Sequence, residues 1–374
     1  MSNHSEAFVG FDTSKLRNAV AIADGGRAGE VRFFGEIDNT EAATAKLVKK
    51  LAAKYQRLTF CYEAGPTGYG LYRQIKGLGH ECIVAAPSLI PKRPGDKVKT
   101  NRRDAVSLAK LLRAGELTAV WVPDCQHEAM RDLVRVRGTT MLDLRSKRQQ
   151  VSAFLLRLGR PYLGRNTWTK AHMSWLASQR LDYPEQRIAF EELMLALRQA
   201  QERLERLEQA IRAAVPDWSL AEVVIALMAM RGIDLIAATT LLAEIGDLTR
   251  FRTPRELMAH LGLVPSEAST GNTIKRGPIT KAGNRRARRM LVECSWSYQH
   301  PPRVGRDKQQ RVDAAPPAVR EIAWKAQCRL HRRYRALIRR GKLKTVAITA
   351  VARELAGFIW AVAREVTTTR AAVR

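Results

Sequence analysis

Acidic residues are scarce in this chain: 36 Asp and Glu stand against 64 Lys and Arg, a formal net charge of +28. That shortage argues against an ordinary cytosolic metabolic enzyme. It predicts a polyanionic partner, because a basic surface concentrates nucleic acid and releases its counterions. Cysteine is also sparse. Cys61, Cys82, Cys125, Cys294 and Cys328 lie far apart, and none forms a C-x-x-C pair. The spacing excludes a zinc site or a disulfide framework and leaves reduced cytosolic thiols. No apolar run is expected to reach the roughly 20 residues of a membrane span, and no signal-peptide core is expected after Met1. Apolar material as such is not lacking. At 45% hydrophobic, with 7 Trp and 9 Phe, the 374 residues can build cores in two or three domains, which excludes disorder of the whole.

The basic excess is uneven. Residues 1–120 carry 19 basic and 12 acidic side chains, net +7; residues 121–220 carry 16 and 12, net +4; residues 221–374 carry 29 and 12, net +17. Within the last part, residues 275–344 hold 21 basic and 4 acidic side chains, which accounts for all of that +17. A charge run can be a solvated face. This one is one-signed and interleaved with Trp296, Tyr298, Trp324 and Tyr334, a pattern that points to nucleic-acid contact.

Three short alternating runs, at 7–12, 19–24 and 31–36, predict a three-stranded antiparallel meander, with Gly25-Gly26 punctuating the second connection. A helix is expected over 40–55, a strand over 58–62, a helix over 69–77 and a strand over 81–85. A Pro-rich loop over 87–95 precedes a helix over 104–114, with Ala105, Leu108, Ala109 and Leu112 on one face. Three strands followed by alternating helices and strands is the order of an α/β RNase H-like sheet.

From 126 to 158 the pattern is helical and basic, and a loop rich in Trp, Gly and Pro follows. Over 184–214, Leu193, Leu197, Ala200, Leu204, Leu207 and Ile211 are spaced 4-3-4-3-4, a heptad seam. It fits either a helical hairpin with the preceding helix or an intermolecular coiled coil. Over 225–248, Met230-Arg231-Gly232-Ile233-Asp234 enters a helix and resembles a helix-hairpin-helix, whose backbone amides can hold a phosphate. A glycine turn between two core helices has the same signature. A helix over 254–263, a polar Gly-rich loop over 264–284 and helices over 285–298, 316–340 and 344–366 complete a mostly α C-terminal part, with a loop bracketed by Pro301-Pro302 and Pro316-Pro317. The expected division is 1–120, a helical linker over 121–220, and 221–374.

Three acids occupy informative positions. Asp12 ends the first strand, Glu63 follows the fourth, and Asp104 opens the helix after the Pro-rich loop. In an RNase H-like sheet the first and fourth strands are neighbours, so Asp12 and Glu63 can converge on one edge, and a helix crossing that edge can add Asp104. Divalent metal neutralises such a cluster. Magnesium takes oxygen ligands, few of them from protein, and two ions about 4 Å apart can serve the attacking and leaving oxygens of phosphoryl transfer. Strand-end acids can equally be turn residues or helix caps. In the Gly-rich loop, Ser269-Thr270-Gly271 sets two hydroxyls amid Lys275, Arg276 and Lys281. A serine beside phosphate-binding cations can attack phosphorus, although Ser and Thr are ordinary loop residues.

Several motifs together resemble the insertion-sequence one-ten family of transposases, and more closely its eleven-eleven subgroup. They are Gly10-Phe11-Asp12, Tyr62-Glu63-Ala64-Gly65-Pro66-Thr67-Gly68, Lys99-Thr100-Asn101-Arg102-Arg103-Asp104-Ala105, Gly262-Leu263-Val264-Pro265, Ile279-Thr280-Lys281-Ala282-Gly283-Asn284 and Ala352-Arg353-Glu354-Leu355-Ala356. The match covers nearly the whole chain. The resemblance implies a RuvC-like domain with a DEDD acid quartet, a coiled-coil linker and a C-terminal domain with a serine nucleophile. It implies donor and target DNA as substrates, a bridge RNA that pairs with both, magnesium (a pair of ions), dimers that join into tetramers, and a place in the bacterial cytoplasm beside the nucleoid.

By the same resemblance Asp12, Glu63 and Asp104 are acids of the quartet. The sequence departs at the third acid, where Asn101 stands in the Asp-x-x-Asp pattern. An Asn carbonyl still ligates magnesium, without charge, and Asp96 is close enough in sequence to substitute. The family serine position, counted without gaps from Pro265, falls on Thr270, with Ser269 its neighbour. The less hindered primary hydroxyl favours Ser269. Arg276, Lys281 and Arg285, with Lys275 and Arg286 beside them, are the phosphate-binding candidates. Two other readings stand: a metal-only RuvC-like junction nuclease that uses water, and a catalytically decayed nucleic-acid-binding protein.

Overall fold

The computed structural model describes residues 6–91, 100–271 and 273–373. Asp96, Lys99 and the end of the Pro-rich loop lie outside the described residues. The chain divides into two compact units, Met1–Val122 and Pro123–Arg374.

In the first unit the strands are β1 (Glu6–Asp12), β2 (Arg17–Asp24), β3 (Val31–Asp38), β4 (Arg57–Glu63) and β5 (Glu81–Ala85), in the order β3-β2-β1-β4-β5. The first three form the antiparallel meander, and β1 pairs parallel with β4. Alternation on β1 sorts its side chains. Ala7, Val9 and Phe11 pack with Phe60 and Tyr62 of β4 in one buried layer. That layer is covered by α1 (Glu41–Ala52) and α2 (Gly70–Gly77), through Leu47, Val48, Leu51 and Ile75. Thr40 starts α1 by accepting the Ala43 N–H, an ordinary N-cap.

The opposite face is covered by α3 (Asn101–Arg113), whose Ala105 and Ala109 pack on Ala19, Ala21 and Ala23. Small residues on both sides let the helix lie close. Gly10 is the tightest point: a Cβ there would come within 2.5 Å of the Ala105 carbonyl oxygen and 2.6 Å of the Ala109 nitrogen. The helix starts three residues earlier than its apolar face predicts, because Thr100 caps it by accepting the Arg103 N–H.

The second unit is helical apart from one hairpin. The long helices α4 (Cys125–Arg157) and α6 (Pro184–Ala214) form a hairpin, with the short α5 (Lys170–Ala177) in what the sequence presents as a loop. Leu197, Ala200 and Leu204 of the seam bury against Leu144, Val151 and Leu155 of α4, and Arg137 donates two hydrogen bonds to Glu208 across it. Of the two partners the heptad spacing allows, the one present is α4 of the same chain.

The main core joins α7 (Ala221–Leu227), α8 (Leu235–Ile245), α9 (Pro254–His260), α10 (Arg285–Ser295), α12 (Pro317–Arg339) and α13 (Lys344–Val373). A further short helix, α11 (Arg306–Asp313), replaces part of the loop expected between the prolines. One helix bears on the membrane expectation. Within Lys344–Thr369 of α13, the most apolar 18-residue stretch has a mean hydropathy of 1.6, enough by length and composition to cross a bilayer. The apolar residues of this helix serve the core: Ala347, Ile348, Val351, Leu355, Ile359 and Val362 are buried at helical spacing.

The polar loop over 264–284 is also corrected. It contains β6 (Pro265–Glu267) and β7 (Arg276–Ile279), paired antiparallel. Its base is held closely. Lys281 N–H donates to Gly262 O, and Thr280 N–H to Val264 O. Gly262 has φ +60°, and a Cβ there would meet the Ala282 backbone at 2.3 Å. The Gly-Leu-Val-Pro and Ile-Thr-Lys-Ala-Gly-Asn motifs are thus the two sides of one hairpin base.

Candidate functional site

The strand register places the first two acids. Phe11 pairs with Tyr62 in the parallel ladder, so Asp12 and Glu63, each one residue further on, end adjacent strands about 4.8 Å apart. Both follow the alternation onto the α3 face, the side of Gly10 and Cys61, whose thiol lies 3.6 Å from Leu108 O. The loops that follow are tied together by the hydroxyls of Thr13 and Thr67, 3.0 Å apart. Tyr62 OH donates to Gly68 O, which curls the Ala64-Gly65-Pro66-Thr67-Gly68 segment back on its own strand.

The direction of α3 places the third acid. Arg113, in the last turn, donates to the carbonyls of Asp24 and Gly29, and Asp24 lies opposite Ala7 at the start of β1. Gly10, midway along β1, sits under Ala105 and Ala109. The helix therefore runs against β1, and its first turn, with Asn101 and Asp104, lies toward the Asp12 end. Asp104 is half-buried and Asn101 exposed. Three residues apart, they share a side of the helix. An acid in a first turn also suits the helix dipole, so Asp104 serves the fold as well. Asp24, by contrast, is a buried structural acid that accepts from Tyr55 OH at 2.7 Å and Arg32 at 2.8 Å.

Asp12, Glu63, Asp104 and Asn101 offer only oxygen donors that could coordinate a cation, which suits a hard ion such as magnesium rather than zinc. Among the described residues no three His, Cys, Asp or Glu side chains stand close enough to hold one ion together. The set fits an ion held by one or two carboxylates and completed by water and phosphate oxygens, the usual magnesium arrangement.

In the second unit, Ser269 and Thr270 sit at the exposed end of the β6–β7 hairpin. Ser269 Oγ–H donates to Glu267 Oε1 at 2.8 Å and accepts the Lys275 N–H at 3.3 Å. Thr270 exchanges backbone hydrogen bonds with Thr273; among the described residues its hydroxyl has no hydrogen-bond partner. Glu267, which also faces Arg276 at 3.5 Å, is absent from the sequence reading. Its signal is the i, i+2 spacing to Ser269, visible only once the segment is known to be extended.

The five cations are all exposed. Arg276 faces Glu267, and Arg286 lies 4.0 Å from Glu244. Lys275, Lys281 and Arg285 have no carboxylate within ion-pair distance among the described residues. Asn284 organises this end of α10. Its Oδ1 accepts the N–H groups of Arg286 and Ala287, while its Nδ2 donates to Glu244 Oε2 at 2.7 Å and to Glu244 O. Glu244 is buried and takes two further hydrogen bonds from Arg135. Burial alone would push its carboxyl up; Arg135 and Asn284 outweigh that and hold it below the usual range.

Two of the aromatics in the pattern read as nucleic-acid contact belong to the core instead. Tyr298 is fully buried and Tyr334 is 7% exposed, whereas Trp324 is 48% exposed. At the turn over 230–234, Lys308 Nζ donates to Met230 O and Ile233 O, and Arg231 donates to His300 O and Pro301 O. Burial, with Arg311 nearby, lowers Lys308 to about 8. Among the described residues the thiols form no disulfide. Burial raises Cys82 and Cys294 to about 12 and Cys61 well above its usual value.

Comparison with known proteins shows the family. Residues 9–159 match a DEDD transposase model, and residues 225–309 match the model described as Transposase IS116/IS110/IS902 family. The chain is 58% identical over 365 residues to the putative transposase y4qE of Sinorhizobium fredii, covering 98% of this chain and 90% of that protein. It is 30% identical over 345 residues to the transposase for insertion sequence element IS1533 of Leptospira borgpetersenii, covering 89% and 96%. The DEDD model suggests that a divalent metal is used. The chain belongs to the IS116/IS110/IS902 family of insertion-sequence transposases.

Proposed function

We propose that this transposase is a bridge-RNA-guided serine recombinase of RuvC-like architecture. The observation that carries the reading is Ser269, an exposed and hydrogen-bonded primary hydroxyl at the end of a cationic hairpin. The strand order β3-β2-β1-β4-β5 supports the RNase H-like reading of the first unit. Asp12, Glu63 and Asp104, with Asn101 at the third position of the quartet, are the metal-binding edge. A pair of magnesium ions bound there would offset phosphate charge and favour attack at phosphorus.

In this reading Ser269 Oγ forms a bond to phosphorus and the bridging 3′ oxygen leaves. The protein is then linked to the 5′ phosphate at the break, and the free 3′ hydroxyl attacks the phosphoserine of a partner strand. Ser269 is preferred to Thr270 because its hydroxyl is primary and oriented by two partners. Lys275, Lys281 and Arg285 are free to neutralise phosphates, with Arg276 and Arg286 beside them, and each neutralised phosphate releases counterions. The acids and the serine lie on separate units, and both are required in the same strand exchange. The net +17 of residues 221–374 suits a protein that holds RNA and two DNA segments at once. A dimer that assembles to a tetramer is the matching oligomer. Family membership does not favour a metal-only junction nuclease or a decayed binding protein.

The test is reconstitution. Full-length protein is mixed with donor and target DNA, magnesium and the non-coding RNA transcribed beside the gene. Strand exchange that follows changes in the RNA's two pairing loops supports guidance. Exchange of equal efficiency without RNA rejects it.

A further inference from the structure

The hairpin that presents Ser269 also presents a base to it. Glu267 and Arg276 are register partners of the β6–β7 ladder. Glu267 Oε1 accepts the Ser269 hydroxyl proton at 2.8 Å, and Oε2 faces Arg276 Nε at 3.5 Å. Lys275 N–H approaches Ser269 Oγ at 3.3 Å, so the oxygen is held while its proton points at the carboxylate. Both members of the Glu267–Arg276 pair are largely exposed, so the pair contributes little stability; its consequence is orientation. A hydroxyl within hydrogen-bond reach of a base, with a third group orienting that base, is the arrangement that activates a weak nucleophile. Elsewhere in this unit, buried Glu244 has its oxygens engaged by Arg135 and Asn284, so it has no hydroxyl to serve.

We propose, resting on the reading of Ser269 as nucleophile, that Glu267 is its general base and that Arg276 positions Glu267. As the Ser269 Oγ–P bond forms, the hydroxyl proton passes to Glu267 Oε1. The P–O3′ bond breaks, and the departing 3′ oxygen takes a proton from water. In the second step a 3′ hydroxyl of the partner strand attacks the phosphoserine. Ser269 Oγ leaves and recovers the proton from Glu267, while the attacking hydroxyl gives its own proton to water. Protons balance over the two steps, and no oxidant or reductant is involved. Thr270, whose hydroxyl has no such partner among the described residues, is the weaker nucleophile for the same reason.

Paired substitutions separate base chemistry from a structural role. Glu267→Gln keeps the shape and a hydrogen-bond acceptor but cannot take a proton. Glu267→Asp keeps the carboxylate with a shorter reach. The readout is the single-turnover rate of covalent protein–DNA adduct formation by the full chain, with magnesium and RNA present, alongside DNA affinity. Loss of a general base costs about 10²- to 10⁴-fold. Glu267→Gln is expected to lose that much, and Glu267→Asp to recover at least a tenth of the original rate, with DNA affinity unchanged in both. A Glu267→Gln rate within threefold of the original overturns the proposal, as does an equal loss in the two variants. Ser269→Ala is the control: an adduct that persists in it rejects the nucleophile itself, a result distinct from failure of the base.

Discussion

Asn284 and Glu244 are joined by a hydrogen bond of 2.7 Å from Asn284 Nδ2 to Glu244 Oε2, while Asn284 Oδ1 caps α10. Asn284 donates and accepts at once, which is why a carboxamide stands there. Asn284→Asp keeps the cap but sets a second carboxylate against Glu244. Asn284→Ala loses both contacts, at about 1 kcal/mol for the cap and about 1.5 kcal/mol or more for the charge-assisted bond. The expected order of melting temperatures is native, then Asn284→Ala, then Asn284→Asp, read by thermal unfolding at pH 7. An aspartate as stable as the asparagine would contradict the contact.

Glu244 predicts an acid limb in the stability curve. Arg135 and Asn284 hold its carboxyl below the usual carboxylate range in the folded state. A carboxyl depressed by folding contributes stability that is present above its unfolded pKa and lost as pH falls through the folded one. Glu244→Gln is therefore expected to be less stable than the native chain at pH 7, by about 2 kcal/mol, since charge-assisted hydrogen bonds from Arg135 then meet a neutral amide. The gap should narrow as pH falls below the ordinary glutamate value of about 4.3 and through the lower folded one. Denaturant titrations across that range check it, and a gap of constant size would assign the contribution elsewhere.

Gly10 predicts a fold defect with a catalytic consequence. The contacts of 2.5 and 2.6 Å that a Cβ would make are with backbone atoms of α3, which cannot swing aside as a side chain can. Gly10→Ala must displace the helix that carries Asp104. Overpacking of this kind costs about 1–3 kcal/mol. Metal-dependent cleavage should fall further than stability does, because α3 moves relative to Asp12. Limited proteolysis and cleavage rate, measured together, test this; full cleavage in a folded Gly10→Ala protein would refute the placement of α3 as the carrier of an essential acid.

Asn101 predicts a gain. It shares a side of the α3 first turn with Asp104, so Asn101→Asp adds a charged oxygen donor where a neutral one stands. The variant is expected to reach half-maximal cleavage at a magnesium concentration several-fold lower, and the added acid also suits a helix N-terminus. Magnesium titration of cleavage provides the check. Asp12→Ala, Glu63→Ala and Asp104→Ala should each abolish cleavage and leave DNA affinity within about twofold, as should removal of the metal by a chelator.

The sheet was legible because each strand writes its face into alternation: Ala7, Val9 and Phe11 turn one way, Gly10 and Asp12 the other. The convergence of Asp12 and Glu63 on one edge followed from strand order alone. Other features were hidden for physical reasons. The start of α3 depends on the Thr100 cap rather than on periodicity. The heptad seam of α6 shows that something apolar covers it, but the same spacing serves α4 or a second chain. The Ser269 hairpin has too few apolar residues to show alternation, and its strands are joined across Gly271, a left-handed position with φ +56°. Without that hairpin Glu267 is merely a polar residue in a polar stretch. Tyr298 and Tyr334 look like nucleic-acid contacts by composition, and only packing shows that they belong to the core.

If Ser269 is the nucleophile, it becomes bonded to DNA. The direct measurement is to incubate the full-length protein with donor and target DNA, RNA and magnesium, denature it, digest the covalent product and identify the modified peptide by mass spectrometry. A phosphodiester link is expected at Ser269, absent from Ser269→Ala and from Asp12→Ala. A link at Thr270, or strand exchange that proceeds undiminished in Ser269→Ala, would contradict it.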